Sequence, residues 1–199
     1  MITSIYMFLS TLYLWQQDNE HRWLVWLKPL PILLLAGWAS IEMQDSWLVA
    51  ALLLSAAGDI ALGLDNDRYF VHGLGFFLLA HVAYAVVFGR NVNWTPAAIF
   101  PLLIIFALSI WLLPRLLPTL GKLRIPVLCY VGVIILMSAL GALHIPFSVM
   151  LAMGAIIFMV SDATIAFDKF VEPVPHRNAI VMTTYYLAQY LIVVSFTGV

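Results

Sequence analysis

Three full charges stand inside long apolar stretches of this chain: Lys28, Asp59 and Asp162. A charge at the centre of a membrane-crossing helix costs on the order of 2.5–3.5 kcal/mol, so each must face protein or a water-filled cavity and have a partner. Two carboxyls set against one lysine leave an excess negative charge in a low-dielectric setting. Like charges held close do not both ionise freely, so one carboxyl is expected to keep a proton. Such a pair supplies an acid and a base at neutral pH, the division of labour that glycosidases use. The plainer alternative is that Lys28 neutralises one aspartate and the set is structural glue.

The neighbouring polar residues share faces with these charges. On the third apolar run Ser55, Asp59 and Leu62 lie on one helical face beside Gly58. On the seventh, Gly154, Phe158, Ser161, Asp162 and Ile165 recur at helical spacing. The fourth run carries Gly73, Phe77, His81 and Tyr84 along one face; the sixth has Tyr130, and the eighth Tyr185, Tyr186 and Gln189. Counted from the ends of the runs at 1.5 Å per residue, the three charges lie about 8–9 Å inside the same boundary. The tyrosines of the sixth and eighth runs fall at that depth or slightly deeper. Several helices are therefore expected to bring polar groups to one level. His81 is open to three readings: ligand, proton carrier or hydrogen-bonded link between helices. His72 reads as interfacial, and His21, His144 and His176 as surface. No His-x3-His or His-Glu pair occurs on any of the helical runs, so a metal held by Asp59, His81 and Asp162 is possible but unsupported by spacing. There is no phosphate-binding glycine loop and no Gly-x-Ser-x-Gly elbow.

These residues must be positioned by membrane helices. Of 199 residues 64% are apolar and only 10% charged, with a mean hydropathy of +1.02; soluble domains carry about 25% charged residues. The balance of nine Lys+Arg against ten Asp+Glu leaves no basic surface for nucleic acid. Apolar runs cover roughly 2–16, 23–40, 46–64, 69–89, 95–114, 124–143, 147–168 and 177–197. Continuous apolarity over about 20 residues is a spanning-helix signal, and lipid would leave an open sheet edge unsatisfied. The expected fold is an all-α bundle of about eight transmembrane helices forming a single integral membrane domain over 1–199. The N-terminus lacks a basic region and a cleavage site, so it reads as a retained, short first helix. Pro29, Pro31, Pro101 and Pro126 mark candidate kinks, and Cys129, in an apolar run, reads as a buried spectator thiol. A faint echo runs between halves: Gly58-Asp59 answers Ser161-Asp162, Leu79-Ala80-His81 answers Leu187-Ala188-Gln189, and Pro29 answers Pro126. It raises a parallel four-plus-four repeat with the aspartates where the halves meet.

Arg22, Arg68, Arg115, Lys122, Arg124, Lys169 and Arg177 fall beside the loops after the first, third, fifth and seventh runs, with Arg90 alone on the other side. This bias puts those loops in the cytoplasm and both termini outside, and the small loops suit a bacterial inner membrane.

Taken in order, Lys28-Pro29, the run Ser55-Ala56-Ala57-Gly58-Asp59-Ile60-Ala61-Leu62, then Phe70, Gly73-Leu74, Phe77, His81 and Tyr84 form the first part of a pattern. Pro126, Tyr130, Gly154-Ala155, Phe158, Ser161-Asp162, Ile165-Ala166, Phe170 and Tyr185-Tyr186-Leu187-Ala188-Gln189 complete it. The ordered set resembles the YhhN-type lysoplasmalogenases, eight-helix membrane proteins, over the second to the eighth spans. The resemblance implies hydrolysis of the vinyl ether bond of lysoplasmalogens to a fatty aldehyde and a glycerophospho-base, without a cofactor. On that reading Asp59 and Asp162 are the catalytic acid and base, in an order the residues leave open. Lys28 would hold the ionised partner or meet the lipid phosphate. Tyr84, Tyr130, Tyr185, Tyr186 and Gln189 would orient water or the glycerol hydroxyl, with Ser55, His81 and Ser161 as further substrate contacts. Phe76, Phe77, Met137, Phe158 and Met159 would line the hydrocarbon chain. The partners implied are a lysophospholipid substrate and the membrane lipid. Two other classes fit intramembrane carboxylates among kinked helices: a proton-coupled transporter, and a metal-dependent intramembrane lipid hydrolase of ceramidase type.

Overall fold

The computed structural model describes residues 1–17, 23–64 and 67–197, the side chains of residues 67 and 68 excepted. Arg22 and His21, used above for orientation and surface, lie outside the described residues, as does the side chain of Arg68. Among the described residues the chain is helical, with no strand beyond one isolated bridge, Val92 to His144. The helices are α1 (Ile2–Gln16), α2 (Leu24–Leu27), α3 (Leu30–Glu42), α4 (Ser46–Gly63), α5 (Asp67–Phe88), α6 (Ile99–Leu116), α7 (Arg124–Leu143), α8 (Val149–Phe170) and α9 (Arg177–Ser195). Among the described residues seven segments are long and apolar enough to cross a membrane: Leu24–Glu42, Ser46–Gly63, Tyr69–Phe88, Pro96–Leu116, Gly121–Leu143, Val149–Phe170 and Arg177–Ser195. The short α1, at 1.5 Å per residue, reaches about 22 Å and falls short of the ~30 Å hydrocarbon core.

The prolines act according to their place. The second run is broken where Pro29 removes a backbone donor, so α2 ends at Leu27 and α3 begins at Leu30, with Lys28 at the break. Pro101 and Pro126 instead sit in the first turns of α6 and α7, where the missing N–H belongs to a position without an intrahelical partner. A proline there costs the helix no intrahelical hydrogen bond.

The contacts divide the chain into two compact units, Met1–Val87 with Phe196–Val199, and Phe88–Ser195. In the first unit α3 packs along α4, and α1 rests on α2 and α3. Asp45 caps α4, its carboxylate accepting from the backbone N–H of Trp47 (2.9 Å) and Leu48 (3.3 Å). Two glycines let α4 and α5 approach: a Cβ on Gly58 would stand 2.7 Å from the Phe77 ring, and one on Gly73 2.7 Å from Leu62.

In the second unit the most intimate pairing is α8 with α9. A Cβ on Gly154 would meet the Ala188 carbonyl and the Ile192 backbone nitrogen, each at 3.1 Å, so only glycine allows this approach. Helices α6 and α7 pack on α8, and Leu112, Leu116, Leu120, Val127 and Val131 form an apolar cluster where α6 passes into α7. The loop after α5 is stitched to the end of α7: Asn93 N–H donates to Leu143 (3.0 Å), and Ile145 N–H to Asn91 (2.8 Å). His144, read as a surface residue, belongs to this stitch; its Nδ1 donates to the Phe88 carbonyl at 2.8 Å.

Candidate active site

The first polar group is built in the first unit. Lys28 follows the end of α2 with helical dihedrals, its N–H still donating to the Leu24 carbonyl, and its ammonium lies 3.5 Å from Asp59 Oδ1. Asp59 is 1% exposed. One turn earlier on α4, Ser55 is fully buried, and its hydroxyl has no hydrogen-bond partner among the described residues. On α5, His81 Nδ1 donates to the Phe77 carbonyl at 2.6 Å, which makes Nε2 the acceptor nitrogen of the ring. The same Phe77 places its ring against Gly58, beside Asp59. Tyr84, one turn beyond His81, is fully buried. The expected face of α5, Gly73, Phe77, His81 and Tyr84, is the buried face.

The second group is built in the second unit. Tyr130 of α7 donates its hydroxyl hydrogen to Asp162 Oδ2 of α8. Ser161 donates to the Val181 carbonyl at 3.0 Å and so links α8 to α9. On α9, Tyr185 meets Phe158 edge-on with centroids 5.5 Å apart, and Tyr186 lies 5.6 Å from Tyr185. Gln189 is completely buried in the same helix. Asp162 lies eight residues before Phe170 and Asp59 four before Gly63, which at 1.5 Å rise is about 12 Å and about 6 Å from the helix ends.

Lys28, Ser55, Asp59, His81 and Tyr84 thus belong to the first unit, and Tyr130, Ser161, Asp162, Tyr185, Tyr186 and Gln189 to the second. Each unit presents one buried carboxyl with a hydrogen-bonding or ionic partner, set among aromatic rings. Of the expected chain-lining residues, Phe77, Met137, Phe158 and Met159 are buried. Phe76 is 37% exposed and faces outward, and Cys129 is exposed as well. Both corrections have one cause: lipid accepts an apolar side chain as readily as a protein interior does. Sequence reading missed Ser138, buried in α7, whose hydroxyl donates to the Ala155 carbonyl of α8 at 3.2 Å. The available signal was a hydroxyl opposite small residues, a common helix link in membranes.

Chemically, a carboxyl beside a lysine holds negative charge, and one that accepts from a phenol is held in a fixed orientation.

Comparison with known proteins agrees with this architecture. The chain is 34% identical over 200 residues to the human protein lysoplasmalogenase TMEM86A, covering 92% of this chain and 82% of that one. It is 34% identical over 187 residues to human lysoplasmalogenase TMEM86B, with 92% and 79% covered. A lysoplasmalogenase of Mycobacterium tuberculosis is 34% identical over 137 residues, 66% of this chain and 52% of the relative. No solved structure matches the chain significantly. The YhhN family model matches residues 21–196, nearly the whole chain and both carboxyl-bearing units, so the protein belongs to the YhhN family.

Proposed function

We propose that this protein is a lysoplasmalogenase, hydrolysing the vinyl ether bond of a lysoplasmalogen to a fatty aldehyde and a glycerophospho-base. The observation that carries the reading is the pair of buried carboxyls with unlike partners, Lys28 on Asp59 and Tyr130 on Asp162, in a chain whose relatives are lysoplasmalogenases. On this reading Asp59 and Asp162 both act on the lysoplasmalogen.

The chemistry follows from the bond. Protonating the β-carbon of the vinyl ether gives an oxocarbenium ion; water adds to the α-carbon and gives up a proton. The resulting hemiacetal breaks its bond to the glycerol oxygen, which takes a proton, and the aldehyde leaves. One group must donate the first proton, and another must steady the cation and accept the proton of water. The carboxyl with the lysine is suited to the anionic task, because Lys28 balances its charge before and after the cation forms. Asp59 is therefore assigned as cation stabiliser and base, and Asp162, oriented by Tyr130, as proton donor. His81, through Nε2, and Ser55 are assigned to water or the glycerol hydroxyl, with Tyr84, Ser161, Tyr185, Tyr186 and Gln189 completing the polar wall. Phe77, Phe158, Met137 and Met159 are assigned to the hydrocarbon chain.

The exposed Arg115, Lys122, Arg124 and Lys169 support a topology with these loops in the cytoplasm, as in a bacterial inner membrane, and both termini outside.

The test is aldehyde release by purified protein in detergent from a lysoplasmenyl lipid and from its ester-linked analogue, with and without a chelator. The expected result is aldehyde from the vinyl ether alone, unchanged by chelation, and lost in both Asp59→Asn and Asp162→Asn. Full turnover in both variants would overturn the assignment. Lipid flux without product would point to a carrier, and chelator sensitivity to a metal-dependent hydrolase.

A further inference from the structure

The back of α8 carries a feature that the carboxyl chemistry does not use. Val160, Ala163, Thr164 and Phe167 form one stripe; at 100° per residue its centre lies about 150° round the helix from Asp162. This stripe, with Leu108 and Trp111 of α6, lines a cleft of about 710 Å³. That volume falls within the ~300–1,000 Å³ of small-ligand sites. The wall is apolar even at Thr164, whose hydroxyl is turned to the Val160 carbonyl at 2.8 Å. The cleft is open at its side, where Trp111 is 45% exposed.

Charge is confined to one end. The Trp111 ring stacks on Phe167, centroids 5.4 Å apart and planes within 16°, near the C-terminal ends of α6 and α8. Arg115, one turn on, lays its guanidinium 4.7 Å from the Trp111 centroid. Glu172, just past the end of α8, also lines the cleft. Both are exposed, and among the described residues neither makes an ion pair. The order along the cleft is therefore hydrocarbon-like body, aromatic layer, then one cation and one anion. Aromatic rings mark the membrane–water interface, and Arg beyond them reaches into the headgroup layer.

We infer that this cleft is a second lipid site, separate from the carboxyl chemistry, that seats one chain of an intact diacyl zwitterionic phospholipid with its phosphate on Arg115 and its amine on Glu172. A cation and an anion at one mouth match a headgroup carrying both signs; an anionic headgroup would meet the Glu172 carboxylate, and a lipid without phosphate would leave Arg115 only its contacts to the Trp111 carbonyl and ring. The open side lets the second chain remain in the bilayer, which is why a two-chain lipid is the occupant.

Native mass spectrometry of the full chain, titrated separately with dioleoyl phosphatidylethanolamine, dioleoyl phosphatidylglycerol and oleoyl lysophosphatidylethanolamine, tests this. The diacyl ethanolamine lipid should occupy one site about fivefold more tightly than the glycerol lipid, the size expected from one headgroup charge contact. Glu172→Gln, an exposed and isosteric change, should abolish that preference, and Arg115→Gln should weaken both diacyl lipids. Ala163→Phe should fill the cleft and lower occupancy by each. Turnover of a lysoplasmenyl substrate should persist in all three variants, so failure here is separable from failure of the reaction assigned above. Equal occupancy by the two diacyl lipids, occupancy unchanged in Glu172→Gln and Ala163→Phe, or tighter binding of the lyso lipid would each overturn the proposal.

Discussion

The two carboxyl-bearing units hold the same residue type at similar burial and give it different company. Asp59 is 1% exposed and Asp162 8%. In the first unit the partner is an ammonium from the junction of α2 and α3, the residue before Pro29. In the second unit the partner is a phenol on α7, and α8 runs through Asp162 without interruption. Burial alone therefore does not fix what a membrane carboxyl can do. The partner does, because it decides whether the charged form is balanced.

The strongest way to break this comparison is to remove each carboxyl. Asp59→Asn and Asp162→Asn keep shape and lose the proton-transfer group, and each should lower aldehyde release by about 10²–10⁴-fold. Loss in one variant alone would mean that a single carboxyl does both tasks. The partners come next. Lys28→Met removes the counter-charge beside Asp59 in a buried site and should cost about 3–5 kcal/mol, read as a lower Tm in detergent. The double variant Lys28→Met/Asp59→Asn should regain most of that loss. Tyr130→Phe removes a neutral donor and should cost about 1–3 kcal/mol. A larger stability loss from Tyr130→Phe than from Lys28→Met would reverse the distinction between the units.

The glycines sharpen the same contrast at smaller scale. In Gly154→Ala the new methyl meets backbone atoms of α9 at 3.1 Å, so the helices must part, at about 1–3 kcal/mol. In Gly58→Ala it meets the Phe77 ring at 2.7 Å, which can be met by movement of one side chain. Gly58 is the chain neighbour of Asp59, so Gly58→Ala should lose turnover out of proportion to Tm, and Gly154→Ala the reverse.

Much of this was legible before any coordinates. Polar groups in lipid must turn inward, so the faces bearing Asp59, His81, Asp162 and Gln189 could be read from spacing, and all four are buried. Span ends were legible because charge and proline bound the apolar runs; α8 extends to Phe170 and α9 stops at Ser195, shifts of two residues. The break at Lys28 was only half legible, since Pro29 announces a kink but not its pairing with Asp59. What could not be read was the orientation of apolar side chains. Adjacent Phe76 and Phe77 are chemically identical, yet one faces out and the other packs on Gly58. The cleft behind α8 was hidden for the same reason, since Trp111 and Phe167 meet only through the packing of α6 on α8.

Cys129 turns that blind spot into a measurement with the smallest expected effect on stability. It lies one residue before Tyr130 on α7, so a step of 100° separates an exposed thiol from the phenol that holds Asp162. An exposed side chain without a partner contributes little, and Cys129→Ser should change stability by no more than about 0.5 kcal/mol. The thiol should be alkylated by N-ethylmaleimide in the folded, detergent-solubilised protein with turnover retained, because the label projects from the outer face of α7. Modification that waits for thermal unfolding would mean that α7 is rotated from this orientation. That rotation would also withdraw Tyr130 from Asp162, so one slow cysteine would undo the second half of the comparison.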